Sequence, residues 1–135
     1  LCQQDTWVKE RLVQYGRVND RQTLYELYAK SKIMCMTSRS EGFPISAVEA
    51  IFFGAYLVLT DFGSAVHDLT QDGCYGTIVP QEDAVELAAA WETAAHRDDL
   101  PELSRQIQTF ARQKFSYDVW SAKLDKYLCR ITSNK

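Results

Sequence analysis

A chain of 135 residues, 46% hydrophobic and 24% charged, can bury a real core and has the composition of an ordinary single globular domain. The formal charge of −3, with Lys and Arg dispersed, leaves no basic stripe for nucleic acid. The longest apolar run, Ala47–Thr60, contains Glu49 and Gly54 and is too short to span a bilayer, and the polar, mixed-charge opening "LCQQDTWVKERLV" does not read as a signal peptide.

In chain order, "RLVQYGRV" (Arg11–Val18) reads as a strand that ends at Gly16. Asp20 then suits an N-cap for a helix carrying Leu24, Leu27 and Tyr28 at helical spacing. "KIMCMTS" (Lys32–Ser38) reads as a compact buried strand, with Cys35 as a small core residue. A loop, Ser38–Phe43, follows. Pro44 fits the first turn of a helix, where its missing N–H costs nothing, and that helix should run to about Phe53, with Gly54 as its stop.

"YLVLT" (Tyr56–Thr60) is apolar almost throughout, as expected of a parallel strand covered on both faces. Asp61–Gly76 reads as a long connection punctuated by Gly63, Gly73 and Gly76, and "TIVP" (Thr77–Pro80) as a last short strand. Beyond Pro80, "DAVELAAAWETAAH", "LPELSRQIQTFARQKF" and "YDVWSAKLDKYLCRI" are three amphipathic helical segments. The order of elements predicts one α/β domain over residues 1–135, a Rossmann-like doubly wound parallel sheet in the strand and helix region 11–80, with a helical tail over 82–131. The four cysteines (Cys2, Cys35, Cys74 and Cys129) have no metal-ligand spacing and read as free thiols of a reducing compartment.

One charge pattern stands out. Glu41 and Glu49 bracket the uncharged stretch "GFPISAV", and Glu49 interrupts an otherwise apolar helix. In an open parallel sheet, ligands bind outside the carboxyl ends of the strands, where the loop Ser38–Phe43 lies. The start of the following helix offers unpaired amides at Gly42, Phe43, Ile45 and Ser46 and a partial positive charge suited to a diphosphate. Gly42 would let a ligand approach the backbone, and the two carboxylates could accept from sugar hydroxyls on either side of that diphosphate. The bland alternatives are a Glu41 that only complements the helix dipole and a Glu49 that only faces solvent.

"SRSEGFPISAVEAIFFGAYLVLTD" resembles the C-terminal, nucleotide-sugar-binding domain of GT-B glycosyltransferases of family 4, glycosyl transferases group 1. Their E-x7-E motif corresponds here to Glu41 and Glu49, with Gly42, Phe43, Ala50, Gly54 and Val58 in frame. The resemblance extends from "VQYGRV" to the closing "KFSYDVWSAKLDKYL". It implies a retaining hexose transfer to a glycan or lipid-linked acceptor, with no metal and no cofactor beyond the donor substrate. By carry-over Glu41 is the catalytic-site carboxylate at the donor hexose and Glu49 accepts from the ribose. Gly42, Phe43, Pro44, Ile45 and Ser46 hold diphosphate and sugar oxygens, and Val18 meets the base. Departures are Gly63-Ser64 where the family has a Gly-Gly pair, His67-Asp68 nearby, and no basic pair, since Arg17 and Arg39 do not sit in its place.

The resemblance further implies a missing N-terminal partner domain. It makes this chain a fragment inactive alone, liable to self-associate through an exposed sheet edge. Its setting would be the cytoplasm, with the parent protein peripheral on the inner face of the plasma membrane, in polysaccharide or lipopolysaccharide assembly. A GT-B-fold sugar-nucleotide epimerase and a non-catalytic doubly wound binding module are the alternative readings.

Overall fold

A computed structural model describes residues 10–132. The elements are α1 (Arg21–Lys30), β1 (Ile33–Met36), α2 (Ile45–Phe52), β2 (Tyr56–Thr60), α3 (Ser64–Thr70), β3 (Gly76–Val79), α4 (Ala84–Ala95), α5 (Leu100–Phe115) and α6 (Tyr117–Thr132). The strands form one parallel sheet in the order β1-β2-β3, with Cys35 opposite Val58 and Val58 opposite Thr77. This is the expected open Rossmann-like α/β arrangement with a helical C-terminal portion.

All five residues of β2 are buried, so both faces of the strand must be covered. Right-handed crossovers place α2 and α3 on one face, and α5 packs there against α2 and β2. Helix α4 touches all three strands and covers the other face. The core joins Ala47 and Ile51 of α2, Leu57, Val58 and Leu59 of β2, Val66 and Leu69 of α3, and Leu103, Ile107 and Ala111 of α5.

Several expectations change. Arg11–Val18 is not a strand: Arg11 ends a helical turn and residues 12–20 have no regular structure. Leu12, Val13 and Tyr15 are exposed, and Gly16 takes a left-handed φ of 61° that interrupts any extended run. A short apolar segment without a partner strand has no ladder to join. Cys35 is exposed rather than in the core: it lies on β1, the outer strand of the described sheet, none of whose residues is fully buried. Pro44 is buried but stands at the N-cap of α2, with φ −80° and ψ 89°, one position before the first turn.

The connection Asp61–Gly76 contains a helix, α3. Its glycines bound that helix: Gly63 enters it with φ 114°, while Val66 and Leu69 bury one face between the punctuation points. Helix α6 buries no residue and leaves Trp120, Leu124, Tyr127 and Leu128 exposed along one stripe. No helix among the described residues is long and apolar enough to cross a membrane.

Gly54 closes α2 against α5. Its φ is 85°, and a Cβ there would collide with the Ser104 hydroxyl and lie 2.9 Å from the Ser104 carbonyl oxygen. Gly54→Ala is therefore expected to destabilise the fold by about 2 kcal/mol or more, read as a lower urea midpoint. An unchanged midpoint would show that α5 shifts freely, contrary to this packing.

Candidate functional site

The carboxyl ends of β1, β2 and β3 are joined by side-chain hydrogen bonds. The Thr60 hydroxyl, at the end of β2, donates to the Ser38 carbonyl at 2.6 Å. The Ser38 hydroxyl donates to Glu41 Oε1 at 2.7 Å. Gln81, just past β3, donates from Nε2 to the carbonyls of Arg39 (2.9 Å) and Asp61. The loop that carries Glu41 is thus tied to all three strand ends, while Glu41, Gly42 and Phe43 themselves remain exposed.

A cavity of about 260 Å³ opens at this end, with Thr37, Ser38, Thr60 and Gln81 in its wall. Two larger hollows, of about 450 and 490 Å³, lie elsewhere, and none of the three is lined by a residue of the Glu41–Glu49 motif. One is bounded by Tyr75, Arg105 and Phe110, the other by Lys32, Gly54 and Arg97. The chemistry of the motif, not cavity size, marks the strand-end loop as the candidate.

Helix α2 starts without a side-chain cap. Pro44 O accepts from the amides of Ala47 (3.0 Å) and Val48 (3.2 Å), so the Ile45 and Ser46 amides precede the helical ladder. The starts of α1 and α4 differ, since Asp20 Oδ2 accepts from the Thr23 amide at 2.7 Å and Asp83 Oδ1 accepts from those of Val85 and Glu86, whereas α3 and α5 also begin without a side-chain cap. Next to the open start of α2 is Gly42, where a Cβ would meet nothing within 4 Å and φ lies outside the left-handed region. Neither packing nor turn geometry calls for glycine at that position. Phe43 leans on Phe115, with ring centroids 6.1 Å apart.

Glu49 is half-buried on the second turn of α2. The Tyr28 hydroxyl of α1 donates to its Oε2 at 3.2 Å, and among the described residues Oε1 has no partner. The carboxylate in the apolar helix therefore has a partner inside the chain, which a purely solvent-facing Glu49 would not. Burial first, and the adjacent Glu49 charge second, push the Tyr28 phenol up to about 12.

The two glutamates are held by different elements, Glu41 by its own loop and Glu49 by α1. Val18 is half-buried in the irregular segment before α1, outside the Thr60–Ser38–Glu41 network. Arg39 pairs with Glu82 at 2.9 Å on the surface, and His67 Nδ1 lies 3.4 Å from Asp72. No group of three or more His, Cys, Asp and Glu among the described residues could hold a metal ion.

Sequence reasoning did not anticipate Tyr28, Ser38, Thr60 and Gln81 as the residues that hold the motif. A signal existed for two of them: Ser38 and Thr60 are the hydroxyl residues that close the runs "KIMCMTS" and "YLVLT", where a parallel sheet presents its ligand-binding end. Tyr28 was visible only as one more apolar position on its helix.

The family described as glycosyl transferases group 1 matches residues 4–114. The GalNAc-alpha-(1->4)-GalNAc-alpha-(1->3)-diNAcBac-PP-undecaprenol alpha-1,4-N-acetyl-D-galactosaminyltransferase of Campylobacter jejuni is 31% identical over 85 residues, 63% of this chain. The match spans 23% of that protein's length.

The raised Tyr28 phenol has a consequence for stability. Between its ordinary value near 10 and about 12, the unfolded chain loses this proton while the folded chain retains it. Folding stability contributed by this group is thus intact below about pH 10 and lost as pH rises toward 12. Urea unfolding across that range should show a steeper decline for the native sequence than for Tyr28→Phe. Parallel declines would mean that the phenol titrates alike in both states.

Proposed function

The chain belongs to the glycosyl transferases group 1 family, and from that premise we propose that it forms the nucleotide-sugar-binding part of a retaining, metal-independent glycosyltransferase. The transferred group is a hexose and the acceptor a glycan or a lipid-linked glycan; the undecaprenol-linked substrate named for the Campylobacter relative supports the lipid-linked class. The rest of the enzyme, including an N-terminal acceptor domain, lies outside these residues in this reading. The isolated 135-residue chain does not transfer sugar. The setting is the cytoplasm, at the inner membrane face.

One observation carries the reading: α2 begins at the carboxyl edge of a parallel sheet without a side-chain cap, beside a glycine that the fold does not require, and is flanked by two anchored carboxylates. The amides of Gly42, Phe43, Ile45 and Ser46, with Pro44 shaping the entry, receive the diphosphate. As the glycosidic bond breaks, charge grows on the departing diphosphate oxygen, and the positive end of α2 favours that charge. Glu49 accepts from the ribose hydroxyls through its Oε1. Glu41, held by Ser38, accepts from the hexose and fixes the anomeric carbon relative to the acceptor. Val18 contributes main-chain contacts to the base.

A second reading has a specific observation in its favour. Tyr28 already satisfies one Glu49 oxygen, so Glu49 could serve only to dock α1, in a non-catalytic module. The epimerase reading has no such support, because His67 is engaged locally with Asp72.

In the full-length protein, Glu49→Ala is expected to weaken donor binding by about 1.5–3 kcal/mol, the scale of a hydrogen bond to a charged group. Titration calorimetry showing unchanged affinity would leave Glu49 as the α1 anchor alone. Glu41→Ala should reduce turnover more than nucleoside diphosphate affinity, since its partner is the hexose; equal losses for the diphosphate and the full donor would contradict that role. Gly42→Val should remain folded by circular dichroism, because its Cβ meets open space, yet fail to bind donor. Donor affinity retained in the folded variant would remove the close approach of ligand to the Gly42 backbone.

A further inference from the structure

Helix α1 buries none of its residues completely, yet two of its rings converge on one residue past the end of α2. The Tyr28 ring stacks on Phe53 with centroids 5.8 Å apart and planes 23° off parallel, and Tyr25 reaches the same ring at 5.7 Å. Phe53 follows Glu49 by four positions, about one helical turn. The ring contact and the hydrogen bond to Glu49 therefore fall along one side of α2.

A phenylalanine at position 28 would serve the stacking equally well. The hydroxyl adds only one thing, the bond from Oη to Glu49 Oε2 at 3.2 Å, and that bond is half-buried. A glutamate side chain has three rotatable torsions, and ordering such a chain on binding costs free energy. A carboxylate already held by one oxygen has met that cost before the ligand arrives. Its other oxygen keeps two acceptor positions, and the held one keeps a further lone pair. That is sufficient for two neighbouring hydroxyls.

We propose that Tyr28 is a positioning residue of the donor site, fixing Glu49 through Oε2 so that Oε1 meets the vicinal hydroxyls of a ribose. The inference rests on the reading of Glu49 as the ribose acceptor. It adds that the specificity of the site for ribose is set from α1, one element away from the loop that carries Glu41. Tyr25 and Phe53 hold the tyrosine ring, and the hydroxyl transmits its position to the carboxylate.

The test compares uridine and guanosine diphosphates with their 2′,3′-dideoxy forms, titrated calorimetrically into the full-length protein and its Tyr28→Phe, Glu49→Ala and Glu49→Gln variants. Tyr28→Phe keeps the ring stack and is expected to lower affinity for the ribose form about fivefold, the size of one side chain's ordering cost, while changing that for the dideoxy form by less than about twofold. A merely structural tyrosine would lower both by the same factor, which overturns the inference. If Glu49→Ala discriminates ribose from dideoxyribose and Tyr28→Phe does not, positioning by Tyr28 is wrong while the ribose role of Glu49 stands. If Glu49→Ala has no effect, or neither diphosphate binds the native protein, the donor-site reading fails and this inference with it.

A ligand-free measurement on the full-length protein checks the coupling directly. Removing the Glu49 charge in Glu49→Gln should move the Tyr28 phenol, followed by ultraviolet absorbance with Tyr28→Phe as the blank, down from about 12. A phenol that titrates identically in both proteins shows that the two side chains do not meet in solution, and overturns the proposal whatever the ligand data show.

Discussion

The burial of β2 on both faces is the constraint from which the rest of this structure follows. Tyr56–Thr60 has no solvent-facing side, so it requires a strand at each edge, crossover helices on one face and α4 on the other. Burying Leu57, Val58 and Leu59 at roughly 1.5–3 kcal/mol for each side chain outweighs what the short flanking strands contribute alone. Parallel pairing also aligns the carboxyl ends of three strands at one end of the sheet. The loop carrying Glu41, the start of α2 and the residues after β3 meet there because β2 leaves them no other place.

Polar residues complete at that end what apolar burial began. Thr60 is buried and donates to the Ser38 carbonyl, Ser38 donates to Glu41, and Gln81 bridges two loops through their carbonyls. Each bond exchanges solvent for a protein partner, so the net stabilisation is modest, about 1 kcal/mol apiece. Their larger effect is geometric, since they limit the positions open to the loop between β1 and α2. A loop so tethered can hold a carboxylate in place while keeping it exposed, as Glu41 is.

The capping pattern gives the same region its electrostatic character. Helices α1 and α4 have their first amides satisfied by Asp20 and Asp83. Helix α2 has a proline at the cap and no side-chain acceptor, and α3 and α5 also start without one. A fold selected for stability alone gains by a serine or aspartate there. In the proposed reading, an anionic ligand group takes the place of the cap at α2.

Much of this was legible in the residues. The all-apolar centre of "YLVLT", the alternation of short runs with helical periodicity, and the Asp20 cap determined a parallel α/β sheet, and Glu49 among apolar neighbours marked its own helix as unusual. Periodicity is a local property, and these features are local. What tertiary structure alone decided was pairing. Leu12–Val18 has strand composition but pairs with no strand among the described residues, so it stays irregular; Cys35 has core composition but lies on the outer strand of the described sheet, none of whose residues is fully buried, and is exposed. The three glycines of Asp61–Gly76 looked like loop punctuation until Val66 and Leu69 found the sheet and made a helix between them. The bond from Tyr28 to Glu49 joins residues 21 positions apart on two helices, and no spacing rule reaches that far. Hydrogen bonds and burial between distant segments depend on how elements dock, which is fixed by the summed packing of the whole core rather than by any one stretch of chain.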